Sequence, residues 1–172
     1  MDWLVIVLRI LHIGAAIGWV GGAALFSFFV EPTLNALGPD AEKVTGELIQ
    51  RRQLPRYFGI LSTTAVLAGA VLYWVDSQGL QLAWITSPTG LAFTIAALAA
   101  VAAWLGGGIL LSPAVKNVAA VGAEMKSAGG PPSGELMARM HAAQERVRQI
   151  GLYDFALLVI ALIGMAVARY LH

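Results

Sequence analysis

The stretch WLVIVLRILHIGAAIGWVGGAALFSFFV, residues 3–30, holds two ionisable side chains, Arg9 and His12, in an otherwise apolar run. About 20 apolar residues cross the ~30 Å hydrocarbon core of a bilayer, so this run is long enough to span it with some tilt. It is too long for the apolar region of a signal peptide, lacks a basic leader, and shows no cleavage site before turning polar at Glu31. It reads as a retained span. Runs 57–75, 90–111 and 151–171 have the same character. Four spans place both ends of the chain on one side.

Composition leads the same way. Of 172 residues 58% are hydrophobic and 12% charged, and the mean hydropathy is +0.74, outside the balance of a soluble globular domain. The partner solvent is lipid. A formal net charge of +1 gives no field that would hold nucleic acid, and none is expected as a partner. The chain has no cysteine, which excludes disulfides, thiolate metal sites, iron–sulfur clusters and covalently attached haem.

Basic residues orient the spans. Lys43, Arg51, Arg52 and Arg56 lie in the first connection and Lys116, Lys126, Arg139, Arg146 and Arg148 in the third, whereas the middle connection, 76–89, has none. By the positive-inside rule the first and third connections are cytoplasmic and both termini lie outside, as expected for a bacterial cytoplasmic (inner) membrane protein. Arg9 and Arg169 oppose this but are outnumbered; Trp3, Tyr73, Trp74, Trp84 and Tyr170 then anchor the outer interface. The cytoplasmic connections read as helical extensions of the spans, capped by Asp40 and by Ser133, with a flexible linker at 127–134.

The chain also echoes itself. Trp19-Val-Gly-Gly-Ala followed by Pro32 recurs as Trp104-Leu-Gly-Gly-Gly followed by Pro113, each leading into a basic connection and another span. The fold class expected is therefore all-α: an integral membrane four-helix bundle of two tandem, parallel-oriented helical hairpins. Chance recurrence of Trp and Gly is the alternative. Gly14, Gly18 and Gly22 form a smooth stripe on the first helix and Ala99, Ala103 and Gly107 on the third, where other backbones approach, within the chain or in a homo-oligomer.

Charged and imidazole groups in a span are costly and call for a reason. Arg9 and His12 share one helical face, which Ala16 and Trp19 continue, with Gly14 and Gly18 on the other side. A neutral His12 is suited to be an axial ligand of a b-type haem, with Arg9 one turn nearer the surface to pair with a propionate. Alternatively it bonds a backbone carbonyl or the hydroxyl of Thr63 or Thr64 and does nothing more. The candidate cofactor-binding residues are thus His12, Arg9 and Trp19, and the candidate metal ligand is His12. The second ligand is open: His172 is terminal, His141 falls in a cytoplasmic segment, and Thr94 and Ala97 echo Arg9 and His12, leaving five-coordinate haem, Met165 or a site shared between protomers.

Two further groups carry chemistry. Met137, Met140 and His141 offer soft ligands suited to Cu(I), or are the apolar side of an amphipathic helix. Glu31, Arg56 and Asp154 stand at the cytoplasmic ends of three spans, where a cluster would neutralise costly charges or form a proton or ion pathway.

The run Leu11-His12, Trp19-Val-Gly-Gly and Pro32 resembles the first helix of the CopD-like superfamily of small bacterial membrane proteins, where a Leu-His pair precedes a Trp-x-Gly-Gly element at this interval. That group includes copper-resistance D proteins and four-helix relatives, with the HemJ-type protoporphyrinogen oxidases as distant cousins. The match covers mainly the first helix. The HemJ-type likeness implies a first-helix His that contacts haem and a basic residue three before it, at His12 and Arg9 here. The later basic and Asn-Glu-containing signature of those oxidases is missing. The resemblance implies electron transfer, tetrapyrrole oxidation or copper transport; a structural subunit without ligand is the remaining expectation.

Overall fold

A computed structural model describes residues 3–38 and 41–171, and among these every regular element is a helix and there is no strand. Helix α1 covers Trp3–Leu37. Helix α2 covers Ala41–Gly46 and runs on as a π turn, Glu47–Arg51. Then come α3, Leu54–Asp76, a short α4, Leu82–Ile85, and the long α5, Pro88–Ser127, and α6, Gly134–Ala168. The cap expected from Asp40 lies outside the described residues, as does the terminal His172 weighed as a second ligand.

The last two long helices each have a local reason to start where they do. Ser87 accepts from the Gly90 amide at 3.1 Å ahead of Pro88, and Ser133 accepts from the Leu136 amide at 3.2 Å. These hydroxyls satisfy first-turn N–H groups that have no helical partner. The 127–134 segment is the break between α5 and α6.

α1 and α5 share an unusual backbone feature. Each contains one π turn, Phe26–Val30 and Gly107–Leu111, closed by bonds from Glu31 N–H to the Phe26 carbonyl and from Ser112 N–H to the Gly107 carbonyl. Each turn ends two residues before a proline, Pro32 or Pro113. Proline has no N–H and its ring crowds the carbonyl one turn back, and a widened turn lets the helix pass it unbroken. The extensions follow: α1 continues to Leu37 and α5 to Ser127 instead of stopping at the apolar edge.

Packing is closest between α1 and α3 and between α5 and α6. The core draws on all four helices, with Ala15 and Trp19 of α1, Ala65 of α3, Ala103 of α5 and Leu158 of α6. Alanine and glycine dominate these contacts, because helices in lipid gain from close backbone approach rather than from hiding apolar surface. A Cβ on Gly164 would stand 2.9 Å from the Ala96 Cβ. Beyond the core, Ile17 is 69% exposed, Leu98 65% and Ile163 56%. Such a surface suits lipid, not water.

The glycine stripe is divided between two uses. A Cβ on Gly18 would lie 2.7 Å from Leu61 Cδ1, and one on Gly22 would lie 2.9 Å from Phe58, both on α3, whereas Gly14 meets nothing within 4 Å. The packing face and the polar face expected on opposite sides of α1 both turn toward α3. A neighbouring helix covers a wide arc of its partner, enough to touch Gly18, Gly22 and His12 at once.

At the end opposite the basic connections, α4 lies across the start of α5. A Cβ on Gly90 would come within 1.8 Å of the Trp84 carbonyl oxygen. Only glycine admits that crossing. Trp84 packs edge-on to Tyr73 at 5.3 Å and stacks on Phe93 at 6.1 Å.

Candidate functional site

His12 comes from the middle of α1 and is half-buried against α3. Its Nδ1 lies 2.8 Å from the Ala65 carbonyl oxygen. A carbonyl only accepts, so Nδ1 carries a proton and donates, and the neutral tautomer compatible with this bond has its lone pair on Nε2. The ring edge lies over Gly69, where a Cβ would stand 2.8 Å from Cε1 and 3.0 Å from Nδ1. Ala65 and Gly69 are one turn apart, so α3 offers a two-residue flat on which the imidazole rests.

Of the partners weighed for His12, a backbone carbonyl is the one found. The Thr63 hydroxyl accepts instead from Trp104 Nε1 at 3.2 Å, tying α5 to α3. Thr94, which echoes Arg9, also bonds α3, at 2.6 Å from the Tyr73 hydroxyl.

Arg9 sits one turn from His12 toward the chain start and pairs with Asp76 at the end of α3, Nη2 to Oδ1 3.6 Å. The guanidinium is 59% exposed, so this pair leaves several of its N–H donors open. Trp19 is buried among Ala15, Ala65, Ala103 and Leu158, at the centre of the four helices. Sequence reasoning overlooked Asp76. Its signal was present, since an acidic residue closing the second apolar run faces a basic residue near the start of the first when the two helices run antiparallel.

The other two candidate groups are not assembled. Arg56 bonds Gln53 at 3.2 Å, Glu31 lies within electrostatic reach of Arg148 and Glu145, and Asp154 packs against Gly106. A Glu31–Arg56–Asp154 cluster is therefore absent. Met140 lies against Gly122 of α5, while Met137 and His141 are exposed. Met140 fills a gap between the helical extensions, which Arg139 also joins through a two-pronged pair to Glu124 at 2.7 and 3.2 Å. Among the described residues no three His, Cys, Asp or Glu side chains group closely enough to hold a metal ion.

Four helices long and apolar enough to cross a bilayer, carrying an anchored imidazole and an ion pair between the first two, make this an all-helical multi-pass membrane protein. No family model matches the chain, and no curated protein or solved structure matches it either.

Proposed function

We propose that the chain holds a haem or related tetrapyrrole at His12 and serves electron transfer or tetrapyrrole oxidation in the membrane. The observation that carries this reading is the Nδ1 bond to Ala65. Histidines that ligate a metal through one ring nitrogen characteristically donate the other N–H to a carbonyl, which sets the tautomer and the ring orientation. A haem bound there would supply one-electron redox chemistry. The chain's own residues have separate tasks: His12 presents Nε2, Arg9 offers its remaining donors to an anionic substituent such as a propionate, and Trp19 forms the apolar floor farther along α1. The test is visible absorption of protein purified after haem-replete expression. A Soret band that disappears in His12→Ala is expected, and no band, or one unchanged in that variant, removes the reading.

We also infer the arrangement in which this site works: a four-helix bundle of two tandem, parallel-oriented hairpins, in a bacterial inner membrane with both termini outside the cytoplasm. The shared π turn and proline of α1 and α5 support the repeat, and the basic first and third connections support the orientation. A second reading, a structural subunit or homo-oligomer without a ligand of its own, is favoured by Gly14, the one member of the stripe that meets nothing within 4 Å among the described residues. Co-purification of a larger assembly with His12→Ala silent supports it.

A further inference from the structure

The last helix directs a carboxylate inward. Asp154 precedes Leu158 by one turn on α6, and Leu158 belongs to the core with Trp19 and Ala103, while Ala161 and Ala168 continue the buried stripe. Facing it, the inner stripe of α5 runs Ala96, Ala99, Ala103, Gly106. A Cβ on Gly106 would stand 2.5 Å from Asp154 Oδ1, and one on Gly107, where the π turn begins, 3.8 Å from Oδ2. Two adjacent glycines thus form a notch that the carboxyl occupies, and a methyl at Gly106 would have to push the carboxyl out of it.

Nothing cationic meets it. Among the described residues Asp154 has no ion pair and no hydrogen bond. From α5 it faces Gly106 and Gly107. From α1 the neighbouring contact is apolar, Phe28 on Phe155 at 5.2 Å, and the nearest titratable group on that helix, Glu31, lies toward Arg148. At the foot of α3, Arg56 bonds Gln53. On its own helix Tyr153 is exposed and Arg148 pairs with Glu145 at 2.8 Å. An uncompensated charge at such a place is costly, whereas a neutral carboxyl is not.

We propose that Asp154, seated in the Gly106–Gly107 notch, is a proton-binding site of the membrane domain, taking up and releasing a proton at the end of the helices that carries the basic connections. The site stands independently of a tetrapyrrole at His12.

Dicyclohexylcarbodiimide, an apolar reagent, tests it on the full chain in detergent. A protonated carboxyl adds its O–H across one C=N bond of the reagent, and the acyl group then migrates from oxygen to nitrogen to give a stable N-acylurea that mass spectrometry maps. At near-neutral pH, labelling of Asp154 at least about tenfold above that of Asp76 and Glu124 in the same sample is expected, because those two are paired with Arg9 and Arg139 whereas Asp154 faces no cation. Asp154→Asn should abolish the adduct. Gly106→Ala fills the notch and should move the preference of Asp154 toward a water-soluble carbodiimide. Three results would overturn the proposal: equal labelling of the three carboxyls, a preference of Asp154 for the water-soluble reagent in the unmodified chain, or protection by sodium or potassium at constant pH, which would mark a cation site. Where Asp154→Asn fails to fold, the reagent preference and the Gly106→Ala shift decide alone.

Discussion

His12 Nδ1 donates to the Ala65 carbonyl at 2.8 Å, and the Cε1–Nδ1 edge of the ring lies over Gly69. The carbonyl already belongs to the α3 ladder, so it uses its second lone pair, and neither helix gives up a backbone bond. Gly69→Ala places a methyl 2.8 Å from Cε1 and should cost about 1–3 kcal/mol, the usual range for overpacking. Removing the ring relieves the clash. In a double-mutant cycle followed by denaturant unfolding in micelles, Gly69→Ala is therefore expected to cost far less in a His12→Ala background. Additive losses would show that His12 does not rest on Gly69.

The two echoed tryptophans should behave differently. Trp104 donates to Thr63 at 3.2 Å, a bond between helices, and intramembrane bonds of this kind average about 0.6 kcal/mol. Trp104→Phe should cost roughly that, and Thr63→Val should then add little. Trp19 fills the centre of the core, so Trp19→Ala opens a cavity among four helices and should cost about 3–5 kcal/mol. Unfolding midpoints of the three variants test the ranking; a smaller loss at Trp19 than at Trp104 contradicts it.

Much of the fold was legible in the sequence because lipid imposes a simple rule. Backbone in hydrocarbon must satisfy itself, so the four apolar runs could only be helices. The ends were less legible: Pro32 and Pro113 look like stops, and only the widened turns before them let α1 and α5 continue. The site divided in the same way. Arg9 and His12 stood out by the cost of placing them in lipid, but the partner of His12 is a main-chain oxygen, which no residue type announces. Which side chains meet across helices depends on rotation and register, and these sent Arg56 to Gln53 and left Asp154 on glycine.

Glycines that look alike in the sequence should separate sharply on substitution. At Gly90 the obstacle is the Trp84 main-chain oxygen, 1.8 Å from a Cβ, which no rotamer change relieves; Gly90→Ala should lose about 3 kcal/mol or more. Gly14 meets nothing, and alanine is preferred to glycine in a helix by up to ~1 kcal/mol, so Gly14→Ala should be neutral or stabilising in the monomer. Gly14→Leu also distinguishes the homo-oligomer reading: a shift to smaller species on size exclusion supports it, and an unchanged profile removes Gly14 from any interface.

Orientation can be read without removing any native thiol, because the chain has no cysteine. Gln81, in the connection between α3 and α4, and Gly130, between α5 and α6, are both exposed, so a single cysteine at either site leaves the packing intact. The middle connection carries no Lys or Arg and the third carries several, and translocation disfavours basic segments. Gln81→Cys should therefore react with a membrane-impermeant maleimide in intact spheroplasts, and Gly130→Cys only after the membrane is opened. The reverse pattern would invert the protein, placing the Arg9–Asp76 pair at the cytoplasmic face and Asp154 in the outer half of the membrane. It would leave the four-helix fold untouched, since both patterns require the two cysteines to lie on opposite sides. Labelling of both from the same side is the result that would break the four-span topology itself.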